Sequence, residues 1–193
     1  RHLAYAAAAS LILAVPALPA RAQDAPAAGV VQAATRALPQ FLRPIQEAHL
    51  PEFGFPSRDA AEAAEPGVAF QVHTVDPRRL IAAEAPVGIT ELAVPTPQWQ
   101  LVVMSHGQPR AMMTVAPLDG RWRGVTIGAR GLAAQLHELI ERWPVARGYR
   151  CRLIRVYQAA SDVVEVRQGG RLRGVVPLAS SRAALGLAPA FDP

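Results

Sequence analysis

Three apolar runs in the second half of the chain alternate with short glycine turns. The runs are "WQLVVM", "AMMTVAPL" and "RWRGVTIG", and the turns between them are His106-Gly107 and Asp119-Gly120. A turn-forming residue followed by glycine, between apolar runs, is the strongest short signal of a β-hairpin. His106 stands where Asn or Asp is usual, and histidine is among the residues that tolerate a positive φ. The pattern therefore predicts a three-stranded antiparallel meander.

A helix and three further strands follow the meander. The segment "ARGLAAQLHELIERWP" carries an apolar stripe at helical spacing, formed by Leu132, Leu136, Leu139, Ile140 and Trp143. "RCRLIRVYQA" predicts a strand, and "DVVEVRQGGRLRGVVPL" predicts a hairpin. With a three-residue loop over residues 168–170, Val166 would pair with Leu172 and Glu165 with Arg173. "SSRAALGL" predicts a closing helical turn.

The first half of the chain mixes short helices with one strand. "VVQAATRALPQFLRPIQEAHL" has helical spacing, and we expect Pro39 and Pro44 to break it into short pieces. Ser57 is placed to cap one helical turn, and Asp76 is placed to cap another. Polar and apolar residues alternate over residues 68–75, which is typical of a strand with one buried face.

The order of these elements predicts an α+β fold. We expect an antiparallel sheet of one strand, a three-strand meander, another strand and a hairpin, with a helix packed on one face and short N-terminal helices. The same order occurs loosely in PAS-like, profilin-like and cystatin-like modules, but this analogy of fold implies no function. No linker separates two cores, so we predict a single domain over residues 30–193.

The first 22 residues have the pattern of a secretory signal peptide. A basic start precedes an apolar run, and residues 20–22 form the small-x-small motif that signal peptidase recognises. An uncleaved anchor is the alternative, but Pro16 and Pro19 leave the apolar run short for a membrane span. We expect cleavage after Ala22, a flexible lead-in over residues 23–29, and a soluble protein that is secreted or periplasmic.

Arginine supplies every basic side chain except histidine. The 193 residues include 20 arginines and no lysine, and the formal net charge is +5. The lack of lysine excludes a P-loop, a Schiff-base enzyme and the Ser-x-x-Lys nucleophile pair. Residues 23–97 carry a net charge of −4, and the chain from residue 98 onward carries +7. The C-terminal half therefore either packs against the acidic half or presents a basic surface to an anionic partner.

Catalytic motifs are weak throughout the sequence. In "HELIE", Glu141 replaces the second histidine of a zinc-protease motif, so His137 and Glu141 match an ordinary surface i,i+4 pair. Ser105 and His106 are adjacent at a predicted hairpin tip, where their side chains diverge. The only cysteine, Cys151, opens an apolar strand, which indicates an inert buried thiol; intermolecular pairing and a reactive thiol are the alternatives. We expect no bound metal and no cofactor.

Arginines at alternating strand positions are the most prominent recognition feature. The pairs are Arg121 and Arg123, Arg150 and Arg152, and Arg171 and Arg173, and the members of each pair share a strand face. If these strands are neighbours, the guanidiniums form one cationic patch suited to phosphate or carboxylate. The alternative is a solvated sheet face that prevents edge pairing.

The sequence therefore predicts a non-enzymatic binding or regulatory module. Its candidate binding residues are Arg121, Arg123, Arg152, Arg171, Arg173 and His106, the last because loops at hairpin tips often contact partners. The partner would be an unknown protein or an anionic envelope component, and no nucleic acid is expected for an exported protein. The alternative function is a small periplasmic hydrolase that uses scattered histidine and acidic residues.

Overall fold

The computed structural model describes residues 28–83 and 86–187. The predicted signal peptide lies outside the described residues, as does the predicted lead-in except for residues 28 and 29, which begin the first helix. The helices are α1 (Ala28–Leu42), α2 (Arg58–Glu62), α3 (Pro77–Ile81), α4 (Ile89–Leu92), α5 (Arg130–Arg142) and α6 (Ala179–Ala184), with 3₁₀ helices at Glu47–Phe53, Val145–Arg147 and Tyr157–Ala159. The strands are β1 (Glu65–Val75), β2 (Ala93–Ser105), β3 (Gln108–Leu118), β4 (Arg121–Gly128), β5 (Tyr149–Val156), β6 (Ser161–Gln168) and β7 (Arg171–Pro177).

All seven strands form one sheet in the order β4-β3-β2-β1-β5-β6-β7. The predicted α+β class, the meander β2-β3-β4 and the final hairpin β6-β7 are confirmed. One pair departs from the expected antiparallel arrangement, because β5 runs parallel to β1. The physical reason is the path of the chain: α5 carries it from β4 at one edge of the sheet back across a face to the free side of β1.

Strand β1 is the central strand and is covered on both faces, so the prediction of one buried face was wrong. His73, on the side expected to face solvent, is only 5% exposed. The alternation of polar and apolar residues described the strand correctly, but it could not show that packed layers would cover both faces of β1. The layers that cover the two faces come from distant parts of the chain.

Two apolar layers cover the two faces of the sheet. On one face α1 packs on Leu101 and Met113, and on the other face α5 packs on Val102 and Met112. Successive residues of a strand point to opposite faces, so these neighbours along β2 and β3 belong to different layers. The helix predicted for one face is α5, and α1 with the short helices after it forms a second layer on the other face. No helix within the described part of the chain is long and apolar enough to span a bilayer.

Three hairpins reverse direction over two residues that both have positive φ: His106 and Gly107, Asp119 and Gly120, and Gly169 and Gly170. Positive φ at both central residues is the requirement of the turn that matches strand twist. The third hairpin corrects the predicted three-residue loop. Gln168 pairs with Arg171, and Glu165 pairs with Val175 instead of Arg173. Two consecutive glycines allow the shorter reversal, which shifts the register by one position, and a bulge between Val166 and Arg167 shifts it by one more.

Pro39 does not break the first helix as expected. Helix α1 continues through Pro39 and ends at Leu42, before Pro44. A proline in the last turn removes only one intrahelical hydrogen bond, so the disruption stays local. The predicted caps are confirmed: Ser57 accepts from the Ala60 amide, and Asp76 accepts from the Arg78 amide.

Close backbone contact joins α1 to β4 at the sheet edge. A Cβ atom at Gly124 would lie 2.4 Å from the Cβ of Ala37, and one at Gly29 would lie 2.7 Å from Cδ1 of Trp122. Neither distance is physically possible without movement of a helix or a ring. The glycines therefore set how closely α1 approaches the edge strand.

We predict that Gly124→Ala lowers the free energy of unfolding by about 1–3 kcal/mol, because the added methyl group overpacks the contact with Ala37. Urea denaturation measures the change. Gly174→Ala is the matched control, since an added Cβ on β7 meets nothing within 4 Å. Equal stability of the two variants would contradict the close approach of α1.

Candidate binding site

A groove of about 410 Å³ lies between α1 and the edge strand β4. Ala33 and Ala37 face the sheet and are buried, so Arg36 on the adjacent helical face lies at the border of the groove. The turn at Asp119 and Gly120 leads directly into residues 121–124 of β4, which form the opposite wall. Trp122 and Gly124 face α1. Since successive residues of a strand point to opposite faces, the side chains of Arg121 and Arg123 start on the other side of β4, at the border of the groove.

The groove carries unbalanced positive charge. Arg36, Arg121 and Arg123 are exposed, and none of them makes a hydrogen bond or ion pair with another described residue. None of the residues lining the groove is acidic. Guanidinium groups match phosphate and carboxylate in charge and geometry. The groove can therefore bind a small anionic group without displacing an internal partner.

Sequence reasoning identified Arg121 and Arg123 but missed Arg36, Gln40 and Trp122, which also line the groove. Arg36 and Gln40 are four residues apart on the exposed side of α1, which is a recognisable helical pattern. Nothing in that pattern shows that the exposed side borders β4. Only the packing of α1 on the meander brings these residues to the arginine pair.

Arg171 and Arg173 lie on β7, at the opposite edge of the sheet from Arg121 and Arg123 on β4. Six strand spacings separate the edges, which is roughly 30 Å at about 4.8 Å for each spacing. The single cationic patch considered from the sequence therefore does not form. The arginine pairs therefore lie at two separate edges of the sheet. Of the grooves described in this structure, one is lined by the arginine pair on β4, and none is lined by the pair on β7.

Arg152 is occupied inside the protein. Its Nη2 donates to Oε2 of Glu165, its directly paired neighbour on β6, and also to the carbonyl of Thr90 at 2.8 Å. Arg167 donates to the other oxygen of Glu165, whose side chain is 1% exposed. A buried carboxylate needs such partners because desolvation of an unpaired charge is costly. This cluster joins β5, β6 and α4, so Arg152 stabilises the fold.

The sequence contained a signal for this pairing. A tight connection between β5 and β6 aligns Val156 with Ser161, and counting back along both strands aligns Arg152 with Glu165 and Arg155 with Asp162. Arg155 binds Asp162 through two hydrogen bonds of 2.8 and 3.2 Å. Opposite charges directly across paired strands stabilise a sheet.

Ser105 and His106 both attach the first hairpin tip to α2. Ser105 is 1% exposed, and its Oγ donates to the carbonyl of Ala60 at 2.7 Å. His106 is exposed, and its Nε2 lies 3.0 Å from Oδ2 of Asp59. The two side chains contact different residues, and the serine hydroxyl already donates its hydrogen bond to a backbone carbonyl. They do not form a nucleophile and base.

The other histidines of residues 28–83 and 86–187 also have local partners. His49 lies 2.9 Å from Glu52, and His137 lies 3.4 Å from Glu141, as expected for the "HELIE" segment. His73 is buried, with Nδ1 3.2 Å from the carbonyl of Gln71. Among residues 28–83 and 86–187, no three His, Cys, Asp or Glu side chains come together in a way that could hold a metal ion.

Cys151 is half-buried beside the α5 layer. Burial raises the pKa of its thiol from the ordinary 9.0 to about 11. Because the thiolate is the reactive form, a raised pKa makes the thiol a poor nucleophile at neutral pH. This agrees with the expectation of an inert thiol.

Comparison of the chain with protein-family models, with curated proteins and with solved structures finds no match.

We predict that Ser105→Ala lowers the free energy of unfolding by about 1–3 kcal/mol, because the buried carbonyl of Ala60 loses its donor. Chemical denaturation measures the loss. His106→Asn is the control: it keeps a residue that tolerates positive φ and removes only an exposed contact, worth less than about 1 kcal/mol. If His106→Asn lost more unfolding free energy than Ser105→Ala, Ser105 would not be the side chain that holds the hairpin tip to α2.

We predict that native Cys151 reacts slowly with a disulfide reagent at pH 8 and that its rate rises as the pH approaches the thiol pKa of about 11. The unfolded chain should react quickly at pH 8. The native state holds the thiol proton more tightly, so this contribution to stability is complete below pH 9 and is lost between pH 9 and 11. Rapid native labelling at pH 8 would contradict this prediction.

Proposed function

We propose that this protein is an exported, non-enzymatic binding module that recognises an anionic component of the cell envelope through the groove between α1 and β4. The observation that supports the proposal is the set of Arg36, Arg121 and Arg123, which border one concave surface and have no partner among the described residues. Its export rests on the signal-peptide pattern of residues 1–22.

The size of the groove favours a small anionic group over an acidic protein surface. Its volume is about 410 Å³, which is within the usual range for small-molecule sites, whereas a stable protein interface buries about 800 Å² on each partner. A phosphate-bearing lipid headgroup has both the charge and the size. Trp122 lines the same groove and is the kind of residue that lies at a membrane–water interface.

The hydrolase alternative gains no support from the described residues. None of the four pockets characterised in this structure is lined by a histidine. His49, His106 and His137 each pair with a single carboxylate, and each of these carboxylates is exposed. A general base must reach its substrate within hydrogen-bond distance, usually in a pocket that excludes water.

We expect the protein to bind vesicles that contain phosphatidylglycerol and not vesicles of phosphatidylcholine alone. Replacement of both Arg121 and Arg123 by alanine should weaken this binding roughly 30-fold, because each basic residue near an anionic membrane contributes about 1 kcal/mol. Co-sedimentation measures the affinity, and raised salt should reduce it.

The matched control replaces both Arg171 and Arg173 by alanine. It makes the same change of charge in the same Gly-Arg-x-Arg context, at the opposite sheet edge. Affinity should remain close to that of the unchanged protein. Equal weakening by both double variants, or binding that does not depend on salt, would show that the groove is not the recognition site.

A further inference from the structure

We propose that a second pocket, on the sheet face opposite the arginine groove, binds a small carboxylic acid that also carries a hydroxyl or amino group. The pocket has a volume of about 310 Å³ and lies between strands β2 to β4 and the first turn of α5. It is independent of the groove between α1 and β4, because the α1 and α5 layers cover different faces.

A row of polar residues crosses the sheet at the floor of this pocket. Gln100 pairs with Thr114, and Thr114 pairs with Thr126, so three adjacent strands each contribute one polar side chain at the same level. The hydroxyl of Thr126 donates to that of Thr114 at 3.1 Å. Met112, two residues before Thr114 on the same face, is buried under α5. The face therefore changes from apolar to polar where α5 begins.

Gln100 has no hydrogen-bond partner for its amide within the described part of the chain. Its side chain lines the pocket and the residue is only 6% exposed, and Oε1 is buried without a donor. An unsatisfied buried amide destabilises a folded protein, and buried polar groups are almost always paired. A ligand with an N–H or O–H group supplies the missing donor.

The first turn of α5 and Arg155 complete the walls. Ala129 takes a left-handed conformation and gives no side-chain cap, so backbone N–H groups of the first turn lack side-chain partners next to the pocket. These groups and the helix dipole attract negative charge. Arg155 also lines the pocket, but its charge is paired with Asp162 through two hydrogen bonds, so it forms part of the wall and supplies no free positive charge. The pocket therefore offers an amide at one wall and the positive end of the α5 dipole at another.

These two features together define the class of ligand. A carboxylate suits the N-terminus of α5, and a hydroxyl or amino group suits Gln100. The volume of about 310 Å³ lies at the lower end of ligand pockets, which selects a small molecule. Simple dicarboxylates that lack a donor should bind less well, because they leave the amide unpaired.

The test compares malate with succinate, which differ by one hydroxyl group, in binding to the full chain by calorimetry. We expect malate to bind, and we expect succinate to bind at least tenfold more weakly, the difference of about one well-placed hydrogen bond. Gln100→Leu should remove this preference for malate. The same change should raise the thermal midpoint of the ligand-free protein, because it removes an unsatisfied buried amide.

Thr126→Val is a second variant at an exposed position of β4, so it should fold and should weaken malate binding by removing one hydroxyl of the polar row. The variant with Arg121 and Arg123 replaced by alanine should bind malate normally. Loss of binding in that variant would place the acid in the arginine groove and overturn the proposal. A lower thermal midpoint for Gln100→Leu would overturn it too, as would crystals grown with malate that show only water in the pocket.

Discussion

Strand β1 has a hydrogen-bonded neighbour along each edge and a packed layer on each face, and the remaining architecture depends on this position. The meander extends the sheet from one side of β1, and the parallel pairing with β5 extends it from the other. A strand buried on both faces requires two apolar layers, which α1 and α5 provide. The groove and the polar pocket lie at the borders of those two layers.

The arginines divide into two groups according to the partner that each finds. Arg152 and Arg155 on β5 pair with acidic residues on β6 and so hold the two strands together, and Arg167 pairs with Glu165 within β6. Arg121 and Arg123 lie on an edge strand with no acidic residue beside them in the groove. Arginine side chains therefore stabilise the fold at one place and are available to bind a partner at another. Their neighbours across the strands, more than their own sequence pattern, determine the difference.

Local patterns predicted most of the elements because their causes are local. The positive φ required at His106 and Gly107 and the caps at Ser57 and Asp76 depend on residues only a few positions apart. The predictions were wrong where a local sequence pattern is compatible with two structures. The two glycines at the last turn permit a shorter reversal than expected, and a proline near the end of α1 was tolerated there.

The sequence by itself determined the α+β class, the meander, helix α5 and the absence of lysine chemistry, because periodicity, turn residues and composition are properties of the chain alone. Only the tertiary structure decided how the meander, β1, β5 and the final hairpin are arranged across the sheet. This arrangement separated Arg121 from Arg171 by the width of the sheet, placed β5 parallel to β1, and put the α1 and α5 layers on opposite faces. The physical reason is that a binding surface depends on contacts between distant segments, and such contacts are set by packing of the whole core.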